Sequence, residues 1–254
     1  MADPEGVLRY LASNRASSRG KKVGLVDVIL GNWNKAELQH EKELDLVPNL
    51  ENGKQVYLDT CSNKCHMPES WGKADGEYPQ LAGQHRSVTI KQLADIRAKN
   101  RDNPTMFRFA LPSEIGGVQN IADVAAYIEQ LPMTPDNGKG PGTDLEKGKA
   151  IYDRDCALCH MRDGEGDPSR YYPRIQGQHY NYLVRQFEWI RDGKRRTGHP
   201  LMVIQIESYG PEEVHAVMDY VSRLTPPKRD LASTDQLPQV PQETSPAQEG
   251  DGLL

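Results

Sequence analysis

The sequence predicts an all-α protein built from two tandem copies of one small module. Three observations carry this. Five residue blocks recur in the same order in the two halves of the chain, which marks a duplicated structural unit. No stretch alternates apolar and polar residues over strand length, whereas several keep apolar residues at helical spacing. The four cysteines fall into two clusters at equivalent places of the two copies.

The blocks define the modules. Glu51-Asn52-Gly53-Lys54-Gln55-Val56-Tyr57 recurs as Glu146-Lys147-Gly148-Lys149-Ala150-Ile151-Tyr152, each ending four residues before a cysteine. Tyr78-Pro79-Gln80-Leu81-Ala82-Gly83-Gln84-His85 recurs as Tyr172-Pro173-Arg174-Ile175-Gln176-Gly177-Gln178-His179. Lys91-Gln92-Leu93 matches Arg185-Gln186-Phe187, and Asn103-Pro104-Thr105-Met106 matches His199-Pro200-Leu201-Met202. Val124 to Ile128 matches Val217 to Val221 with Tyr127 and Tyr220 aligned. The resulting division is an N-terminal extension over 1–50, modules over 51–132 and 144–225, a linker over 133–143 and a flexible tail over 226–254.

Cys156-Ala157-Leu158-Cys159-His160 is a C-x-x-C-H run, the pattern of c-type haem attachment. The two thiols bond to the macrocycle edge and the adjacent imidazole reaches the iron. Cys61-Ser62-Asn63-Lys64-Cys65-His66 has one extra residue between its cysteines, and the repeat lends it the same reading. A structural zinc site needs four ligands, and each cluster offers three within a few residues. A C-x-x-C redox motif calls for no following histidine and would accompany a βαβ pattern. Two covalently bound haem c groups are therefore expected, on Cys61 and Cys65 and on Cys156 and Cys159. Modules of about 80 to 90 residues are small for a self-sufficient core. An apolar macrocycle would supply what a chain with 37% apolar residues and three Phe lacks.

Helices are expected at 53–60 and 148–155, leading into the cysteines, and at 87–99 and 180–192, where apolar residues follow helical spacing. Two more are expected at 123–131 and 211–224, the latter opening with Pro211, Glu212 and Glu213. Each iron needs a ligand opposite the histidine, or an open position for chemistry. Met suits an electron-transfer site because a thioether stabilises ferrous iron. Met106 and Met202 occupy equivalent loop positions two residues after a proline. The competing reading is core packing, since Met is a common gap-filler, and His199 is a rival for the second iron. Met67 and Met161 follow the haem histidines directly and cannot reach the opposite face. His85 and His179 read as helix-start histidines bonded to backbone or a haem propionate, with a distal-ligand role as the alternative. His40 and His215 read as surface residues.

With these residues in hand, the chain resembles the two-haem bacterial cytochromes of the c4 type, within class I cytochrome c. The C-x-x-C-H motif, the Tyr-Pro-x-Leu/Ile-x-Gly-Gln-His block, the Gln-Leu/Phe helix and the Pro-x-Met loop carry the resemblance over roughly 51–225. It implies two tandem class I cytochrome c domains, with His66 and Met106 on one iron and His160 and Met202 on the other. It implies that the carbonyls of Pro79 and Pro173 orient the histidines. Gly53 and Tyr57 would pack on the Tyr127 helix, and Gly148 and Tyr152 on the Tyr220 helix. It implies further that the modules face each other about a pseudo-twofold axis. The three-residue spacing at Cys61–Cys65, the extension and the tail depart from the pattern.

Val23 to Leu30 is too short and polar for a membrane span or a signal-peptide core. Covalent haem attachment, by the resemblance, takes place outside the cytoplasm, so a periplasmic location and a removed export signal are expected. The tail, rich in Pro, Gln, Ser and acidic residues, offers little to bury. Of the net charge of −5, the tail carries about −3 and each module about −1, which excludes a nucleic-acid footprint. Arg191, Lys194, Arg195 and Arg196 form the one dense basic cluster, read as neutralising propionates, steering an acidic partner or simply solvated.

The leading expectation is an electron carrier and not an enzyme. Its partners would be a donor dehydrogenase or quinol-oxidising complex and an acceptor oxidase or reductase, with peripheral membrane association left open. The alternative is an enzyme, or the haem subunit of one: a sulfur-compound dehydrogenase or a two-haem peroxidase. The irregular first motif and His199 beside Met202 leave room for it.

Overall fold

The computed structural model describes residues 43–236. Val23 to Leu30, His40, the extension up to residue 42 and most of the tail lie outside the described residues. The first module comprises α1 (Leu50–Val56), a π-helical stretch over Tyr57–His66, α2 (Arg86–Arg97), α3 (Pro104–Phe107), α4 (Pro112–Ile115) and α5 (Val118–Gln130). The second repeats the plan with α6 (Leu145–Ile151), a π-helical turn over Tyr152–Cys156, α7 (Ala157–His160), α8 (Tyr180–Arg191), α9 (Pro200–Ile206) and α10 (Pro211–Ser222). Among the described residues β-structure is confined to three isolated bridges.

Each module is organised on the crossing of its first and last helices. Asn49 caps α1 by accepting from the Asn52 N–H, and its own N–H donates to Asp123 on α5. Gly53 and Gly148 permit the close approach. A β-carbon would stand 2.2 Å from the Asp123 carbonyl oxygen at the first and 2.1 Å from that of Ala216 at the second. Behind each glycine a buried tyrosine packs on the partner helix, Tyr57 on Tyr127 and Tyr152 on Tyr220, with ring centroids 5.8 and 5.6 Å apart. Ile90, Ile121 and Val124 complete the first core, and Leu183, Phe187, Val214 and Val217 the second. Each such side chain contributes roughly 1.5–3 kcal/mol by leaving water.

The structure departs from the sequence reading at α5 and in the two methionine loops. α5 begins at Val118, five residues before the expected start, directly after Gly117. The methionine loops wind into short helices, α3 and α9, each opened by a proline in the first turn, where its missing N–H costs nothing.

The modules dock through a nearly symmetric set of hydrogen bonds. The Gln84 side chain brackets the Arg174 backbone, accepting from its N–H at 3.0 Å and donating to its carbonyl at 2.9 Å. Gln178 brackets Gln80 in the same way, at 3.0 and 2.8 Å. His85 Nε2 lies 2.7 Å from the Glu165 carbonyl, and His179 Nε2 lies 2.7 Å from that of Trp71. Arg101 and Arg195 pair across the same seam and share the side-chain oxygens of Gln92 and Gln186.

Two residues of the basic cluster read from sequence, Arg195 and Arg196, therefore belong to the docking seam. Arg196 bonds to the backbone of Lys99 and Asn100, whereas Arg191 bonds within its own module, to the Tyr209 carbonyl. Burial and the neighbouring Arg101 guanidinium lower the Arg195 pKa to about 10.

The connecting segment is strapped down along its length. Thr134 donates to the Gln80 side chain, Asn137 bridges the carbonyls of Gln178 and Ser222, and the Gly142 N–H donates to Asp219. Met133 pairs with the residues around Leu231, and Asp230 meets Arg174 at 3.1 Å. The start of the segment assigned to the tail thus runs against the linker, because its backbone finds partners there. At the other end Glu43, fully buried, bonds to Arg97, and Arg86 binds the carbonyls of Glu43 and Leu46. Residues 43–49 lie on the first module.

Candidate functional site

The two cysteine–histidine clusters occupy matching places at the ends of the first helices. No disulfide joins the four cysteines. Burial pushes the thiols of Cys61 and Cys156 up to about 12, because a thiolate is disfavoured away from water. The neighbouring Cys65 raises the Tyr78 pKa, and burial with the neighbouring Cys159 raises that of Tyr172, a proximity that the sequence reading did not assign although both tyrosines stand in the repeated block.

The extra residue of the first motif is absorbed by winding. In the second module the π-helical turn ends at Cys156 and an α-helical turn carries Cys159 and His160. In the first the π-helical geometry continues from Tyr57 through His66, and a π-bulge is the way a helix accommodates one additional residue. The ends stay in register. Tyr57 donates to the Met67 carbonyl and Tyr152 to that of Met161, both at 2.6 Å. Met67 and Met161 share the same left-handed φ of 64°.

His66 Nδ1 lies 3.3 Å from the Pro79 carbonyl and His160 Nδ1 lies 3.1 Å from that of Pro173. A carbonyl only accepts, so each Nδ1 carries the hydrogen and each Nε2 keeps its lone pair, the tautomer a metal ligand needs. Burial depresses the His66 pKa to about 4 against the Pro79 hydrogen bond, with Arg101 adding a smaller push downward. Burial likewise lowers that of His160. Both rings are neutral near pH 7. Unbridged thiol pairs beside neutral, oriented imidazoles fit a covalently attached haem.

Met106 sits in α3 and Met202 in α9, both partly buried, with Met202 packed on the second core. Asn103 caps α3 by accepting from the Met106 N–H, and His199 caps α9 by accepting from the Leu201 N–H at 3.2 Å. His199 is thus the counterpart of Asn103 in role as well as position, and its edge meets the Tyr172 ring. His85 and His179 bond to backbone, as the simpler reading expected, but to that of the opposite module. His215 is exposed and meets the Tyr180 hydroxyl at 2.6 Å.

A family model described as cytochrome c matches residues 50–132 and 145–225. The cytochrome c4 of Azotobacter vinelandii is 27% identical over 176 residues, covering 63% of this chain and 82% of the relative. A thiosulfate dehydrogenase electron acceptor of Stutzerimonas stutzeri is 29% identical over 173 residues, covering 63% and 77%. The crystal structure of reduced recombinant cytochrome c4 from Pseudomonas stutzeri shares the fold. It superposes with a TM-score of 0.61 at 23% identity, over 70% of this chain and all of that one.

The chain belongs to the cytochrome c family. Within it, two attachment motifs in two docked modules make it a dihaem cytochrome of the c4 type, an electron carrier with two covalently bound haem c groups. Among the described residues no helix is long and apolar enough to cross a membrane.

Proposed function

We propose that this protein shuttles electrons in the periplasm between a reduced donor and an oxidised acceptor, with no substrate chemistry of its own. Haem would be held by Cys61 and Cys65 with His66 and Met106 as axial ligands, and by Cys156 and Cys159 with His160 and Met202. Pro79 and Pro173 would fix the two imidazoles. The observation that carries this reading is the equivalence of the two sites. Each buried ring is fixed through Nδ1 by a proline carbonyl, and each methionine stands in a short proline-opened helix at the same place in the repeat.

A bound haem supplies a one-electron ferric/ferrous couple, and a thioether ligand favours its ferrous state. The chain holds its ligands on rigid, capped elements, so little rearranges when the charge changes. With both axial places filled, no position is left for a substrate. The test is a steady-state assay with thiosulfate, sulfide and peroxide alongside a spectrum. Turnover above background would overturn the carrier reading.

The similarity to a thiosulfate dehydrogenase electron acceptor favours one particular donor, a sulfur-compound dehydrogenase that hands electrons to this chain as its haem-carrying partner. Rapid mixing of the ferric protein with a reduced thiosulfate dehydrogenase tests this. Reduction much faster than with thiosulfate alone supports it, and equal rates contradict it.

A further inference from the structure

The hydrogen bonds that hold His66 and His160 lead directly into the docking seam. The carbonyl of Pro79 and the N–H of Gln80 belong to one peptide unit, and such a unit is rigid and planar. Its oxygen accepts from His66 Nδ1 at 3.3 Å, while its N–H donates to Gln178 Oε1 at 3.0 Å. The Pro173–Arg174 peptide is built the same way. Its oxygen accepts from His160 Nδ1 at 3.1 Å, and its N–H donates to Gln84 Oε1 at 3.0 Å. Each chain of bonds starts at a histidine of one module and ends on a glutamine of the other.

We propose that Gln84 and Gln178 are crossed positioning residues, each setting the axial histidine of the opposite module's haem through a single intervening peptide. The inference rests on His66 and His160 being those ligands. Two effects run through the peptide. Anchoring its N–H fixes the direction of its carbonyl, and therefore the angle at which the imidazole is held. Donation from the N–H also polarises the amide, making the oxygen a stronger acceptor, as in other chains of hydrogen bonds. A stronger acceptor at Nδ1 makes the imidazole more basic, which stabilises ferric iron and lowers the potential.

The glutamines are well placed for the task. Gln178 is buried, and its oxygen is fixed by a second donor, the His179 N–H, at 3.0 Å. Gln84 takes the His85 N–H in the same way at 3.1 Å. Their amide nitrogens close the clasp on the carbonyls of Gln80 and Arg174, so neither amide can rotate without losing several bonds. Undocking the modules would release both histidines at once, which ties the electronic state of each haem to the assembly of the pair.

The experiment uses the dihaem protein with Gln84→Met, Gln178→Met and Gln84→Glu, the last keeping an acceptor for the Arg174 N–H. Proton NMR of the ferrous form follows exchange of the two histidine Nδ1–H protons, and a redox titration follows the two haems separately. Gln84→Met should speed exchange at His160 roughly two- to tenfold, the loss expected from one neutral hydrogen bond, and raise the potential of the second haem alone. Gln178→Met should do the same to His66 and the first haem. Gln84→Glu should leave exchange at His160 slow. Effects on the glutamine's own module, or equal effects on both haems, would overturn the crossed relay in favour of general loosening. Unchanged exchange and potentials would overturn it while leaving the ligand assignment in place. Ring protons of His66 or His160 lacking haem shifts in the unmutated protein would overturn the ligand assignment, and the relay with it.

Discussion

Gly148 faces the carbonyl of Ala216 so closely that a β-carbon would stand 2.1 Å from the oxygen. The first and last helices of the second module touch backbone to backbone there, and Tyr152 is fixed beside the contact by Tyr220. Gly148→Ala should destabilise that module by roughly 1–3 kcal/mol, the usual cost of overpacking, and Gly53→Ala should do the same to the first. Thermal melts read through each haem separately check this. Loss confined to the mutated module is the expected result, and an unchanged melting temperature would show that the helices do not meet at glycine.

His179 makes module docking sensitive to acid. Its Nε2 donates to the Trp71 carbonyl and its Nδ1 accepts from the Gly138 N–H at 3.0 Å, so the ring must be neutral. Burial lowers its pKa from the usual 6.5, while the Trp71 carbonyl and the Asp75 charge pull the other way without restoring it. The unfolded chain takes a proton at a pH where the docked protein refuses one. The stabilisation is complete above about pH 6.5 and is lost as the pH falls towards the depressed value. Melting temperatures between about pH 7.5 and about pH 5 should fall in that order, and a profile that is flat or rises on acidification would contradict it.

The π-helical winding of the first motif predicts that its additional residue is dispensable. Deleting Asn63 should turn the end of the stretch α-helical, as at Ala157–His160, and leave His66 on the Pro79 carbonyl. Intact mass of the variant should still show two covalent haems. A variant that carries one would show that the long spacing is required for attachment.

Met106→Ala and Met202→Ala should each lower the potential of one haem and leave the other close to its original value, because removing a thioether withdraws a ligand that favours ferrous iron. Separate titration of the two haems decides it. If a variant keeps both potentials, the methionine it removes is a core residue.

Much of this was legible in the sequence because the repeat doubled each signal. The family resemblance implied that Gly53 with Tyr57 and Gly148 with Tyr152 pack on the last helices, and the attachment motifs pointed to the chemistry. The docking seam was not legible in that way. Gln84, Gln178, His85 and His179 stood in plain view in the repeated block, but their partners are backbone atoms of the opposite module, which carry no sequence signature. Arg195 and Arg196 looked like surface charge for the same reason, since burial between modules leaves no local pattern. The cap formed by His199 was masked by its reputation as a ligand, although its counterpart Asn103 is a common N-cap residue.

In the proposed arrangement both irons are held by histidine and methionine and leave no open position. A redox titration of the dihaem protein, followed by visible absorption and proton NMR, tests it most directly. Two one-electron steps, two shifted methionine methyl signals in the ferrous form, and low-spin iron in both oxidation states are expected. A high-spin component, or a single bound methionine, would contradict it and return the protein to the search for a substrate.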